Sequence, residues 1–335
     1  MIINKQSSSL EESLIADNYP LVSILINNYN YAQYLSQAID SALGQTYENT
    51  EVIVVDDGST DNSREVIKGY DNQIISVFKK NGGQASAINA GFAASKGDII
   101  CLLDADDIFL PEKAAEIVNF FNLNPDIDWA FNESAPMQSE DIMNADLKAT
   151  FKEIYNNNDD ILTKKIDFRS NIINAELPNF TPSTSNLCFS RKLSKKMFPL
   201  PEERGCSGLA ICDAYLKLIA VGLGIGCASK KNLGIFRLHQ NNLYTTQDIT
   251  NKRIIYSEIF LATAYYMRAE FPLFSKLAKK LFSKAFATYL RNKNKNEISN
   301  KLIQKYFDYL SFYEKIEVSC NICYFFLKLG FKDLV

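Results

Sequence analysis

Asp98-Ile99-Ile100-Cys101-Leu102-Leu103-Asp104-Ala105-Asp106-Asp107 is the stretch on which the fold turns. An apolar run without alternation belongs to a strand buried on both faces, as in a parallel sheet; a strand with one wet face alternates. Two runs of the same kind precede it, Leu21-Val22-Ser23-Ile24-Leu25-Ile26 and Glu51-Val52-Ile53-Val54-Val55, with a shorter one at Ile74–Phe78. Helical signals separate them. Tyr34-Leu35, Ala38-Ile39 and Ala42-Leu43 recur at helical spacing, Asp61 to Tyr70 reads as a short helix, and Gln84 to Ser95 is Ala-rich and closes at Lys96-Gly97. Pro111 opens a further helix to about Asn122. This alternation predicts an α/β/α sandwich with a mostly parallel central sheet, whose ligands bind beyond the carboxyl ends of the strands.

Those strand ends carry unusual loops. The first strand runs into Asn27-Asn28-Tyr29-Asn30, the second into Asp56-Asp57-Gly58-Ser59 and the fourth into Asp104-Ala105-Asp106-Asp107. One polar loop would be ordinary; three on the same sheet edge outline a site. Carboxylates crowded at a strand end repel one another unless a cation or several donors satisfy them. Hard oxygen ligands with no soft ligand nearby suit Mg²⁺ or Mn²⁺. A solvated turn capping the next helix accounts for Asp107 but poorly for Asp104 and Asp106.

Composition excludes much else. The chain of 335 residues is 47% hydrophobic, an ordinary globular value, and its net charge of −3 gives no ground for a nucleic-acid partner. A single His rules out a His-rich zinc site and leaves a Ser-His-Asp arrangement only His239. Seven scattered Cys, among them Cys101 inside an apolar run, read as reduced thiols of a cytoplasmic protein. The one C-x-x-C, Cys320 to Cys323, reads as part of an apolar helix face. Glu11, Glu12 and Asp17 occupy the place of a signal peptide's apolar region. The longest uncharged apolar stretches, Leu218–Ser229 and Val318–Leu327, fall short of the ~20 residues that a membrane span takes.

Asn28-Tyr29-Asn30, Gln45-Thr46-Tyr47, Val54-Val55-Asp56-Asp57-Gly58-Ser59-Thr60-Asp61, Asn81-Gly82-Gly83, Asn89-Ala90-Gly91 and Leu103-Asp104-Ala105-Asp106-Asp107 together resemble the GT-A glycosyltransferases of family 2. The likeness is continuous from about Leu21 to Leu123 and sparser to about Asn242; Asn27-Asn28 departs from the commoner Pro-Thr. The resemblance implies the GT-A fold, a nucleoside-diphosphate-sugar donor with a UDP-sugar favoured, Mn²⁺ or Mg²⁺, and inversion at the anomeric carbon. It implies that Asp57 accepts a base N–H, that Asn27 and Tyr29 meet the nucleotide, and that Asp104, with Ala105, lies on the ribose side. Asp106 becomes the metal ligand. Asn81 to Gln84 form a Gly-containing turn into a helix N-terminus, suited to hydroxyl or phosphate contacts.

The second half must supply a base. Asp213 is the only acid in the apolar helical segment Leu209–Val221; it reads either as an N-terminal acid favoured by the helix dipole or, given the resemblance, as the catalytic base, with Cys212 in place of a frequent Glu. The strand at Leu233–Leu238 carries Phe236-Arg237-Leu238-His239, which resembles the family's aromatic, Arg, spacer and His. That likeness implies a diphosphate contact or metal ligand for His239, and for Arg237 either phosphate pairing or a structural ion pair. Gly222-Leu223-Gly224-Ile225-Gly226 follows a helix where a dinucleotide loop would open one, and reads as a helix end and turn. Glu133–Glu176, acidic and poorly periodic, reads as an excursion over the sheet.

The expected organisation is an arm over 1–19, a glycosyltransferase domain over 20–247 with a nucleotide-sugar half (20–132) and an acceptor half (133–247), and a helical extension over 248–335. Residues 251–335 hold 15 Lys and Arg against 7 Asp and Glu, a net +8, which leaves −11 for residues 1–250. Lys276, Lys279, Lys280 and Lys284 interleave with Phe274, Leu277, Leu281 and Phe282, a pattern open to a helical cap, a homodimer surface or peripheral docking on the inner face of a membrane. A saccharide or lipid-linked acceptor, in bacterial surface polysaccharide or glycolipid synthesis, completes the expectation. The alternative is a protein of the same fold that binds a nucleotide sugar without turning it over.

Overall fold

The structure is a computed structural model that describes residues 19–157, 163–202, 212–242, 246–292 and 297–332. The arm before Tyr19, the Asn158 to Asp160 part of the Asn-rich stretch, and residues 209–211 of the expected second-half helix lie outside the described residues.

The first half alternates as its sequence requires. β1 (Val22–Asn28), α1 (Ala32–Leu43), β2 (Thr50–Asp56), α2 (Ser63–Lys68), β3 (Ile75–Phe78), α3 (Gln84–Ala94) and β4 (Ile99–Asp104) follow in order. β2, β1 and β4 lie side by side and parallel, with β3 parallel outside β2. Ile24, Leu25, Ile53, Val54, Leu102 and Leu103 are buried, which is why these runs do not alternate. Each such side chain contributes ~1.5–3 kcal/mol on burial.

Then come β5 (Ile108–Phe109), α4 (Lys113–Leu123) and β6 (Trp129–Gln138). After them lie α5 (Ser139–Asn144), α6 (Leu147–Asn156), β7 (Thr163–Ile166), α7 (Arg169–Ile173), β8 (Leu187–Ser190) and α8 (Arg191–Met197). The sheet runs β3-β2-β1-β4-β8-β6-β9-β5, with β9 (Gly226–Leu238) preceded by α9 (Cys212–Leu223) and with β7 on β9. Antiparallel pairing enters at β8, which joins β4 to β6; β6 and β9 are parallel. Here the structure corrects the reading of 133–176 as an excursion: Glu133 to Gln138 continue a central strand, and short helices begin only at Ser139. The run 222–226 is a helix end and turn, with the Gly224 N–H on the Ala220 carbonyl. Gly226 begins β9 against the Trp129 ring, where an added Cβ would fall 1.9 Å from a ring carbon.

Four helices follow: α10 (Ile249–Glu270), α11 (Ser275–Arg291), α12 (Glu297–Tyr309) and α13 (Phe312–Lys332). They extend the sheet's own core, since one apolar cluster runs from Leu25 and Trp129 through Leu216 to Leu281 and Tyr306. Phe274, Leu277, Leu281 and Phe282 are wholly inside it, and Phe282 stacks on Tyr306 at 3.8 Å. Lys279 pairs with Glu317 at 2.5 Å, Lys280 donates to the Ala175 carbonyl, and Lys284 sits over the Tyr256 ring. Of the readings open for the Lys276–Lys284 stretch, α11 therefore forms the helical cap, and its apolar residues are not available to a membrane. Cys320 and Cys323 lie on α13 as expected, but exposed rather than on its covered face. Among the described residues no helix is long and apolar enough to cross a membrane.

Candidate active site

Parallel register brings the loops together: Asn27 lies beside Asp104, and Asn28 beside Asp56. Asn27 Nδ2 donates to Asp104 Oδ1 at 3.0 Å, and Gln84 Nε2, from the first turn of α3, donates to the same oxygen at 2.9 Å. The amide oxygens of Asn27 and Asn28 are buried with no hydrogen-bond partner among the described residues. A buried acceptor left unpaired costs ~1–3 kcal/mol, so both are open to a ligand N–H or O–H.

Asp104, Asp106 and Asp107 each offer an oxygen within 4.8 Å of the others. They do different work. Asp107 is buried, accepts from Ser185 Oγ at 2.6 Å and from the Arg237 N–H at 3.1 Å, and is not the solvated helix cap that its sequence position suggests. Burial and the neighbouring carboxylates hold its proton affinity well above the usual range. Ser185 Oγ also accepts the Asp104 N–H at 3.1 Å, so one hydroxyl fixes both ends of the turn. Burial, then the charge of Asp106, pushes the Asp104 carboxyl up to about 7, against the opposing donors Asn27 and Gln84. The protein's own bonds occupy Oδ1 of Asp104 and Oδ2 of Asp106, leaving one oxygen on each among the described residues. Two hard, mutually repelling donors fit a divalent cation of the Mg²⁺ or Mn²⁺ kind, whose charge would reverse that rise.

Arg237 stands under this turn. The residue is 1% exposed, and its guanidinium donates to the Asp106 carbonyl at 2.7 Å, to Gln37 Oε1 at 2.6 Å and to Ser139 Oγ at 3.4 Å, and lies over the Tyr34 ring. Among the described residues its guanidinium's hydrogen-bond partners are neutral. His239 Nε2 lies 3.1 Å from Asp106 Oδ2, while its Nδ1 accepts the Asn241 N–H at 3.1 Å. Asn242 Nδ2 also lies 3.2 Å from Nε2, so a carboxylate and an amide share that ring nitrogen. His239 thus contacts Asp106, one of the three carboxylates that could hold a cation.

Around β2 the acids are satisfied internally. Asp57 accepts from Lys79 Nζ at 2.6 Å and from the amides of Gly82 and Gly83 at 3.0 and 2.7 Å, so the 81–84 turn is fastened to it. Gly58 adopts φ 78°, and a Cβ there would fall 2.7 Å from the Asn81 nitrogen. Asp56 accepts from Asn28 and Arg64, and Asn30 from the Thr60 N–H, locking the first two loops together. Tyr29 and Asn81 are exposed at the rim, whereas the Ala105 methyl is buried in the core beneath the turn.

Asp213 stands in the first turn of α9, accepts the Ala214 N–H at 2.6 Å, and lies near enough to Asp104 for its charge to raise that carboxyl. Burial raises its own proton affinity, opposed by Lys217 one turn on. Sequence reasoning missed the supports. Lys113 is wholly buried, with its ammonium on Asn132 Oδ1 at 2.9 Å and the Ser185 carbonyl at 2.8 Å; Gln37 carries Arg237. The polar run 183–186 before an apolar strand was the available signal for Ser185.

The sequence model of glycosyl transferase family 2 matches residues 23–180. An uncharacterized glycosyltransferase of Nostoc sp. is 35% identical over 231 residues, 66% of each chain. One of Rickettsia prowazekii is 46% identical over 103 residues, 31% of this chain and 32% of its own. The chain thus spans two thirds or less of these relatives. S. aureus TarS 1–349, solved in complex with UDP-GlcNAc, superposes with a TM-score of 0.53 at 14% identity, over 81% of this chain and 73% of that one. With the matching GT-A arrangement of the sheet and the acid turn at its edge, this chain belongs to glycosyl transferase family 2.

Proposed function

We propose that the protein transfers a sugar from a nucleoside-diphosphate donor to an acceptor hydroxyl with inversion, as a hexosyl or related transferase. The observation that carries the reading is the placement of two part-free carboxylates, Asp104 and Asp106, within electrostatic reach of a third, Asp213, on a helix from the other half of the chain. Asp104 and Asp106 would hold Mn²⁺ or Mg²⁺, which when bound neutralises the diphosphate. Asn27 and Tyr29 offer a polar acceptor and an exposed ring to the nucleotide. Asp57 reaches a base N–H only by sharing oxygens already bonded to Lys79 and the glycine amides; Asn28, with its unpartnered oxygen, is the readier acceptor.

Asp213 takes the acceptor's hydroxyl proton as that oxygen bonds to the anomeric carbon, and the bond to the diphosphate oxygen breaks on the opposite face. A base raised by burial is the stronger proton acceptor, and a positioned base is worth ~10²–10⁴ in rate. The fold of TarS, solved with UDP-GlcNAc, supports a UDP-sugar as the first donor to test. Surface polysaccharide or glycolipid acceptors, met on the cytoplasmic side of the membrane, complete the proposal. Calorimetry with UDP-, GDP- and dTDP-sugars, with and without Mn²⁺, tests it: one donor should bind in a cation-dependent way. Silence from all of them overturns the reading, and binding without transfer or donor hydrolysis reduces it to a carrier of nucleotide sugars.

A further inference from the structure

α13 has two apolar faces, and the body of the protein covers only one. Val318 and Ile322 point inward, 0% and 8% exposed, onto the α11 side of the cap. On the other side Tyr313, Ile316, Cys320, Cys323 and Leu327 are exposed, Tyr313 at 82% and Leu327 at 63%. Their spacing of three, four, three and four is that of a heptad seam, the pattern by which one helix presents knobs to another. No charge interrupts it. Lys315, Glu317 and Lys328 stand to its sides, and Glu317 is drawn off to Lys279.

We propose that this seam packs against the same seam of a second copy, antiparallel, about a two-fold axis between Asn321 and Ile322. Such an axis sets Cys320 against the partner's Cys323 and Ile316 against the partner's Leu327, which is the a-to-d matching of an antiparallel helix pair. A two-fold interface must be self-complementary, and this one is, with small residues at the centre and rings toward the ends. With the adjoining Phe312, Tyr324 and Phe326, taking ~150–250 Å² for a fully buried ring, the face offers on the order of 700 Å², close to the ~800 Å² per partner of a standard interface. A flat lipid surface would have no use for the 3.5-residue period and would favour the basic side chains inside the stripe, not beside it.

The full chain should sediment as a dimer, and Ile316→Lys, at a half-exposed position that the monomer does not need, should weaken self-association at least ~30-fold (about 2 kcal/mol) without lowering Tm. Cross-linking reads the geometry. In a Cys206→Ser background, Cys320→Ser and Cys323→Ser chains should each oxidise poorly to a covalent dimer, and their equimolar mixture several-fold better. A monomer at every concentration, a dimer indifferent to Ile316→Lys, or equal cross-linking by the separate variants overturns the proposal. So does a monomer that co-sediments with anionic vesicles of phosphatidylglycerol through this helix.

Discussion

Two acidic turns close the strands on either side of β1, and the protein treats them in opposite ways. After β2, Asp56 and Asp57 are met by Arg64, Lys79 and the Gly82 and Gly83 amides. After β4, Asp104 and Asp106 face each other and Asp107 with an imidazole and two side-chain amides for company, and the proton affinity of Asp104 climbs. Residue type does not separate these turns; counter-charge does. The first is a fastener that builds the loop beside it. The second holds repelling charge in place, as a cation site must.

The largest expected effect lies beyond both turns and sharpens the division of labour. Asp213→Asn should lower transfer ~10²–10⁴-fold while leaving donor affinity unchanged, as read by single-turnover assays and calorimetry; a fully active variant removes it from the role of base. Asp106→Ala should do the reverse and abolish the cation-dependent part of donor binding. Stability then contrasts the two turns directly. Asp57→Asn strips Lys79 of its counter-charge and the glycine amides of an acceptor, costing ~1–3 kcal/mol, or a few degrees in Tm. Asp106→Asn, in the absence of divalent cation, relieves repulsion and should leave Tm unchanged or raise it. Equal losses for the two variants would erase the distinction.

The smallest effect is on pH dependence. The Asp104 carboxyl rises to about 7 in the folded chain, so between its ordinary range and that value the native state binds more protons than the unfolded one. Stability from this group is therefore present at about pH 4 and declines as pH rises toward about 7. In chelator, Tm should fall between about pH 5 and about pH 7.5, and Asp104→Asn should flatten the slope; saturating Mn²⁺ should narrow the gap as well. A cation effect as large at pH 5 as at pH 7.5 would speak against Asp104 as a ligand.

The nucleotide half was legible because its signals are local. Ile99–Leu103 and Val52–Val55 are buried on both faces and say so by lacking alternation, and each loop's composition announces itself at a strand end. Glu133–Gln138 was not legible: its polar residues are a strand's, and Asn132 and Ser134 are there to bond Lys113 and Asn186. Arg237 and Lys113 were misjudged or overlooked for one physical reason. A cation wholly buried on neutral acceptors leaves no periodic mark, because its partners lie 19 to 200 residues away along the chain. The C-terminal helices showed their amphipathic period, while only packing could decide which faces were inward.

Arg237 also fixes how the two halves can be exchanged. It stands in β9, yet the atoms it grips belong to Gln37, to the main chain at Asp106 and to Ser139. A chimaera that imports residues 133–247 from a relative would thereby replace the post on which the acid turn after β4 rests. The two halves of the sheet are mechanically joined at one guanidinium, and any recombination of these chains has to carry Gln37, Ser139 and Arg237 as a single inherited unit.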